Sequence, residues 1–177
     1  MNLVLIGYRG TGKSAVAEIL SQRLGMDAVS LDAEIVREAG MSIPEIVEKH
    51  GWPWFRDLES EIAGRFSLRD DLILDTGGGV ILRPDNTEKL RRGGVLFWLW
   101  ASVEVIAHRI REGSERPALT EGKSFVDEIA EVLSERLPLY RAAADREIDT
   151  DALTPTEVAD RITHEFQSMA AKGSTPA

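Results

Sequence analysis

Gly7-Tyr8-Arg9-Gly10-Thr11-Gly12-Lys13-Ser14 fits the pattern G-x-x-x-x-G-K-[ST] at every fixed position. An apolar run precedes it and an amphipathic helical pattern follows, which is the setting this loop requires. Glycines let the backbone fold so that successive N–H groups point inward at a phosphate. Gly10, Thr11, Gly12, Lys13, Ser14 and Ala15 are the expected cradle. The helix beginning there adds the positive end of its dipole. Lys13 is expected to reach the β- and γ-phosphates, and the Ser14 hydroxyl to bind Mg²⁺, which favours hard oxygen ligands. The bland alternative is a glycine-rich turn without a ligand. Such loops serve GTPases, ATPases and kinases alike, so the rest of the chain must choose among them.

Four later segments bear on that choice: Ser30-Leu31-Asp32; Phe55-Arg56-Asp57-Leu58-Glu59; Thr76-Gly77-Gly78-Gly79-Val80; and the pair Arg116-Pro117-Ala118-Leu119 with Arg136-Leu137-Pro138-Leu139-Tyr140. In order and spacing, over about residues 3 to 160, these and the phosphate loop resemble the shikimate kinase family. That family carries F-R-x-x-E, a triple glycine after its third strand, a lid R-P-L-L and R-x-P-L-Y. The resemblance implies ATP-dependent phosphorylation of the 3-hydroxyl of shikimate, with ATP as co-substrate and one Mg²⁺ per subunit. It also implies a monomer.

The resemblance assigns roles residue by residue, and physical chemistry supports them. Arg56 and Arg136 match the positions that hold the ring carboxylate, a task suited to planar, permanently charged guanidinium forks. Arg56 could equally be a helical ion pair with Glu59, three residues on, and Arg136 a solvated helix charge. Asp32 matches the carboxylate that orients the attacking hydroxyl and takes its proton. Its alternative is an N-cap of a helix Glu34–Ala39. Gly77, Gly78 and Gly79 leave room for substrate or form a tight turn with positive φ. By resemblance, Gly78 contacts the substrate. Arg116 matches the lid residue that closes onto the transferring phosphate as a catalytic charge. Arg109 matches a guanidinium stacked on adenine, and Pro155 an adenine-side loop, with a helix-starting proline as the plain alternative.

Two departures stand out. The family usually shows D-x-D after its second strand, and Ser30 stands at the first of those positions. Asp75 is then the candidate to restore the missing carboxylate near Mg²⁺, with Asp32 as a second water-mediated contact. Ala118 replaces a lid leucine. Trp52, Trp54 and Phe55 cluster beside Arg56 and read as core packing in preference to a substrate-facing wall.

These groups need a scaffold that brings distant segments to one edge. Leu3–Ile6, Ala28–Ser30, Leu72–Leu74, Val95–Trp100 and Arg146–Ile148 read as strands. Lys13–Leu24, Glu34–Ala39, Ile43–Lys49, Pro53–Phe66, Pro84–Arg91, Val103–Arg111, Phe125–Ala143 and Pro155–Met169 read as helices. The apolar run Val95–Trp100 does not alternate, as expected of a strand covered on both faces. Strands separated by helices imply an α/β fold with a parallel sheet. The resemblance implies a three-layer α/β/α build with five strands in the order 2-3-1-4-5. One domain over residues 1–169 is expected, with a mobile lid at about 112–123 and a disordered tail at 170–177.

Composition narrows the partners. With Lys+Arg 21 against Asp+Glu 30, the net charge is −9, which argues against nucleic acid. Cysteine is absent, excluding disulfides, thiolate metal sites and a cysteine nucleophile. His50, His108 and His164 form no ligand-spaced pair and read as ordinary surface or half-buried residues. The start lacks a signal-peptide pattern and the longest apolar run is too short for a bilayer, so a cytoplasmic protein without a membrane partner is expected. The rival readings are a kinase of another hydroxylated carboxylate such as gluconate, and a nucleotide-binding regulator that has lost turnover.

Overall fold

The computed structural model describes residues 1–113 and 124–173. Five parallel strands, β1 (Asn2–Ile6), β2 (Asp27–Ser30), β3 (Leu72–Asp75), β4 (Gly94–Trp100) and β5 (Arg146–Asp149), lie in the order β2-β3-β1-β4-β5. The helices are α1 (Lys13–Leu24), α2 (Leu31–Ala39), α3 (Ile43–Ser67), α4 (Pro84–Gly93), α5 (Val103–Gly113), α6 (Phe125–Ala143) and α7 (Pro155–Gly173). A short 3-10 turn spans Val80–Leu82. Because all strands run one way, every strand C-terminus opens onto the same edge, where ligands bind in open α/β sheets.

Strand pleating sends alternate side chains to opposite faces, and both faces are covered. Val4, Ile6, Leu74, Leu96 and Trp98 pack with Ile35 of α2, Ile62 of α3 and Tyr140 of α6. Leu3, Leu5, Ile73, Phe97 and Leu99 pack with Leu20 of α1 and Ile162 of α7. This double burial explains the unbroken apolar run in β4. A smaller cluster of Tyr8, Ile106 and Ile129 joins the phosphate loop to α5 and α6.

Three predicted boundaries shift by more than two residues. α2 begins at Leu31, and Ser30 is its cap, with its Oγ accepting from the Ala33 N–H at 3.3 Å. Asp32 is therefore not the N-cap. It sits in the first turn, where the dipole favours a carboxylate and the side chain remains available for the crevice. α7 continues past Met169 to Gly173, over Ala170, Ala171 and Lys172, which are good helix formers. The predicted tail is thus helical as far as Gly173. Residues 174–177, and the part of the expected lid from 114 to 123 with Arg116, lie outside the described residues.

The third shift joins two predicted helices. Ile43–Lys49 and Pro53–Phe66 belong to one run, α3, bent at Gly51 (φ 82°, ψ 166°). Ser42 and Glu45 close a reciprocal capping box at its start. Pro53 lacks the N–H that a continuous helix would use, and the bend at Gly51 absorbs this, re-aiming the stretch that carries Trp52, Phe55 and Arg56. A Cβ at Gly51 would meet only Pro53 Cδ at 3.6 Å, so the obstacle there is torsional rather than steric. Gly51→Ala is expected to destabilise the fold by about 1–3 kcal/mol, seen as a lower melting temperature. An unchanged melting temperature would show that the bend tolerates a side chain.

Candidate active site

The phosphate loop is shaped by its own backbone. Gly10 (φ 81°) and Gly12 (φ 92°) take left-handed conformations. Thr11 Oγ1 donates to the Tyr8 carbonyl at 2.8 Å. A Cβ on Gly10 would lie 2.9 Å from Ile110 of α5, so the loop is wedged against that helix. Lys13 Nζ donates to the carbonyls of Gly7 at 2.8 Å and Tyr8 at 3.1 Å. A cavity of about 320 Å³ is lined by Gly10, Gly12, Lys13, Ser14, Ala15, Asp32, Asp75 and Gly77, among others. The predicted phosphate cradle and the ends of β2 and β3 therefore face one space.

Ser14 Oγ donates to Asp75 Oδ2 at 2.6 Å. In the β2–β3 ladder, Ser30 and Asp75 are direct partners. A carboxylate at residue 75 thus stands beside the position where the family carries one at residue 30. Ser14 and Asp75 offer hard oxygen donors that fit Mg²⁺. Among the described residues no three His, Asp or Glu side chains converge, so the remaining ligands would be phosphate and water, the usual habit of this ion.

A second cavity of about 280 Å³ adjoins the first and shares Arg9, Asp32, Gly77 and Gly78 with it. Arg56, Glu59, Gly79 and Arg136 also line it. Arg56 is held by Glu59 at 2.6 Å, and Glu59 is only 2% exposed. Burial pushes the Glu59 carboxyl up, while the Arg56 charge holds it back. Its Oε1 is buried without a hydrogen-bond partner. The predicted ion pair is present, and it aims Arg56 into the cavity. Arg136 donates to the Gly78 carbonyl at 3.1 Å, joined there by the Tyr140 hydroxyl at 2.5 Å. Arg136 is therefore a cavity residue and not merely a solvated helix charge.

Gly77 and Gly79 are required for space, whereas a Cβ on Gly78 would make only ordinary contacts at 3.5–3.6 Å. The stretch does close a turn, with the Val80 N–H donating to the Gly77 carbonyl at 3.2 Å, but none of the three glycines has the positive φ that this alternative required. A Cβ on Gly77 would fall 2.5 Å from Asp32 Oδ1, and one on Gly79 would fall 2.3 Å from the Arg56 guanidinium. Both functional groups lie against bare backbone.

The aromatic cluster divides in two. Phe55 is buried in the core, as predicted, yet it also lines the cavity. Trp52 is 55% exposed, so core packing does not describe it. It stands edge-on to Phe55 (centroids 5.6 Å) with Arg56 over its ring at 5.3 Å, as a wall of the cavity. Trp54 turns outward onto His50 at 4.6 Å. Helical spacing separates these directions, since Trp52 and Phe55 are three residues apart and share a face while Trp54 lies two residues from Trp52. His50, His108 and His164 are exposed.

Arg109 and the approach to Pro155 are brought together. Arg109 donates to Thr150 Oγ1 at 3.0 Å and to the Thr150 carbonyl at 2.6 Å. Thr150 begins the turn between β5 and α7. Pro155 is the first residue of α7, and Thr154 and Glu157 cap that end reciprocally. The helix-start role of Pro155 is thus present. Tyr140, which anchors Gly78 and stacks on Trp98 at 5.7 Å, had no predicted role. Its signal was the four-residue spacing from Arg136, which puts both on one helix face.

Burial sets the charges. It pushes the Asp32 carboxyl up, Lys13 pulls it down and Asp75 pushes it further up, with a net rise. It pulls the Lys13 ammonium down against the opposing pull of Asp75 and Asp32. A carboxyl whose folded pKa exceeds its unfolded value costs stability above the folded pKa, and the cost fades as pH falls through it. Asp32→Asn is therefore expected to raise the melting temperature at pH 7–8, with the gain shrinking toward the ordinary carboxylate range near ~4. Thermal melts of both proteins across pH test this. A variant less stable at neutral pH would mean that the ionised carboxylate is net stabilising.

Known proteins share both the fold and the sequence. A family model for shikimate kinase matches residues 9–167. The shikimate kinase of Thermodesulfovibrio yellowstonii is 41% identical over 95% of this chain and 96% of its own. That of Nitratidesulfovibrio vulgaris is 43% identical over 84% and 86%. Among solved structures, shikimate kinase from Acinetobacter baumannii in complex with shikimate superposes with a TM-score of 0.87 at 33% identity, covering 94% of this chain and 93% of that one. A gluconokinase from Sinorhizobium meliloti gives 0.59 at 19% identity, a likeness of fold alone. With its phosphate loop beside an arginine-lined cavity and its sequence matching over most of its length, the chain belongs to the shikimate kinase family.

Proposed function

We propose that this protein transfers the γ-phosphoryl group of ATP to the 3-hydroxyl of shikimate, giving shikimate 3-phosphate and ADP, a step toward chorismate and the aromatic amino acids. The observation that carries this reading is that the two cavities lie side by side and share Asp32, Gly77 and Gly78 in their walls. A hydroxyl resting on Asp32 faces the phosphate loop on one side and two guanidinium groups on the other. Arg56 and Arg136 bind the ring carboxylate, and Glu59 and the Gly78 carbonyl keep them aimed. Gly77, Gly78 and Gly79 give the ring close access to backbone.

Asp32 aligns the attacking hydroxyl and takes its proton as the new O–P bond forms and the bond to ADP breaks. Its raised proton affinity makes it a better base than an ordinary aspartate. The transition state is loose, so positioning and charge carry most of the acceleration. Lys13 leaves the loop carbonyls for the phosphates. Ser14 and Asp75, with Asp32 through water, are the residues to hold one Mg²⁺, which when bound neutralises phosphate charge and draws off electron density. Gly10, Thr11, Gly12 and Ala15 cradle the phosphates. Arg109 and the turn before Pro155 flank the adenine, and Arg116 supplies a second cation to the transferring group. The protein acts as a cytoplasmic monomer. Among the described residues, no helix is long and apolar enough to cross a membrane.

An ADP-release assay with ATP, Mg²⁺ and shikimate, run beside gluconate and a no-acceptor control, tests the reaction. Shikimate-dependent release is expected. Release with gluconate alone, or nucleotide binding without turnover, would transfer the assignment to one of the rivals. Arg136→Lys loses the planar fork and is expected to raise the KM for shikimate by roughly tenfold or more, leaving the KM for ATP within about twofold. Equal changes in both would remove Arg136 from the carboxylate clamp. Asp75→Asn is expected to raise the Mg²⁺ concentration needed for half-maximal rate several-fold. An unchanged Mg²⁺ titration would take Asp75 out of the metal site.

A further inference from the structure

Arg9 holds the second variable position of the phosphate loop, and neither the motif nor the family resemblance gives its side chain a task. Its place is unusual. Among the described charged residues, Arg9 and Asp32 are the ones that line both the phosphate cavity and the acceptor cavity. Its backbone lies beside the triple glycine, since a Cβ on Gly78 would be 3.5 Å from the Arg9 N. Its guanidinium carbon stands 6.0 Å from the ring centroids of Tyr8 and of Phe125, the first residue of α6. These rings limit where the half-buried side chain points, yet supply no counter-charge.

The other arginines of the crevice are engaged: Arg56 with Glu59, Arg136 with the Gly78 carbonyl, and Arg109 with Thr150. Arg9 pairs with no carboxylate of the described residues. A partly buried cation left in this way is suited to an anion that visits. The acceptor carboxylate already has Arg56 and Arg136. The anion that crosses the boundary between the two cavities is the phosphoryl group itself.

We infer that Arg9 is a further catalytic residue that contacts the transferring phosphoryl group and then the phosphate ester of the product. This rests on the shikimate reading given above. In the step, the acceptor oxygen forms its bond to phosphorus, the bond from phosphorus to the ADP oxygen breaks, and the hydroxyl proton passes to Asp32. Arg9 stays protonated and follows the oxygens of the moving group. It therefore meets the phosphorylated acceptor more strongly than the free one, and so distinguishes product from substrate.

The test compares wild type with Arg9→Met, Arg9→Gln and Arg9→Lys. It measures turnover, together with calorimetric affinities for ADP, shikimate and shikimate 3-phosphate. Both neutral variants are expected to lose at least about tenfold in kcat and in affinity for shikimate 3-phosphate. Shikimate and ADP affinities should stay within about twofold, and Arg9→Lys should recover part of the loss. Equal weakening of shikimate and its 3-phosphate would overturn the assignment, because Arg9 would then act on the shared ring or carboxylate. Unchanged kcat and product affinity would overturn it too, leaving Arg9 as packing for Tyr8 and Phe125. Failure of the wild type to bind shikimate or its 3-phosphate would instead condemn the substrate reading, and this inference with it.

Discussion

Three consecutive residues without a Cβ, at the end of β3, set the geometry on which the rest of the site depends. Gly77 admits the Asp32 carboxylate and Gly79 admits the Arg56 guanidinium, each closer than any side chain would permit. Between them, the Gly78 carbonyl is a shared acceptor for Arg136 and Tyr140 of α6. One short backbone segment thereby ties β3 to α2, α3 and α6. Even alanine at the first or third position would displace one of these two groups. Thr76 fixes the start of this segment, donating from both its N–H and its hydroxyl to the Leu5 carbonyl of β1. The acceptor side is therefore held in register with the strand that leads into the phosphate loop.

Electrostatics at this edge run against stability and in favour of function. An overall charge of −9 would repel an anionic substrate, yet Lys13, Arg9, Arg56 and Arg136 are gathered around the crevice. Burial loosens the proton of Lys13 and tightens that of Asp32. Both groups bear a desolvation penalty that a surface lysine or aspartate would not. Strain of this kind collects at active sites because the same desolvation strengthens each charge toward a bound ligand. The Ser14–Asp75 contact belongs to the same arrangement. It gathers oxygen donors at the end of the central strands, beside the phosphate loop.

Helix α3 shows how a local irregularity serves the site. The bend at Gly51 sets the direction of the segment that follows it as a whole. Within that segment the three-residue spacing of Trp52 and Phe55 puts both rings on the cavity side beside Arg56, while Trp54, two residues from Trp52, turns outward to His50. Arg83 braces the same stretch, donating to the Arg56 carbonyl at 3.0 Å and pairing with Asp57 at 2.8 Å. The cavity wall is thus a helix with a guanidinium held by its own buried carboxylate.

Much of this was legible in the residues alone. The phosphate loop declares itself because its chemistry is local: glycines, a lysine and a hydroxyl within eight positions, between a strand pattern and a helix pattern. The element order followed from hydrophobic periodicity, which also marked β4 as buried on both faces. The pairing of Arg56 with Glu59 was readable from helical spacing. What the sequence could not decide depended on which distant segments touch. The alignment of Ser30 with Asp75 is a matter of strand register. The need for bare backbone at Gly77 and Gly79 arises from side chains more than 20 residues away in sequence, Asp32 and Arg56. The direction of the segment that carries Trp52 depends on one positive φ at Gly51, and the position of Arg9 on two cavities that it lines in common. Local patterns specify elements and motifs because their physics acts between near neighbours. The site is a product of packing, in which strand ends far apart in the chain are forced onto one edge of a parallel sheet.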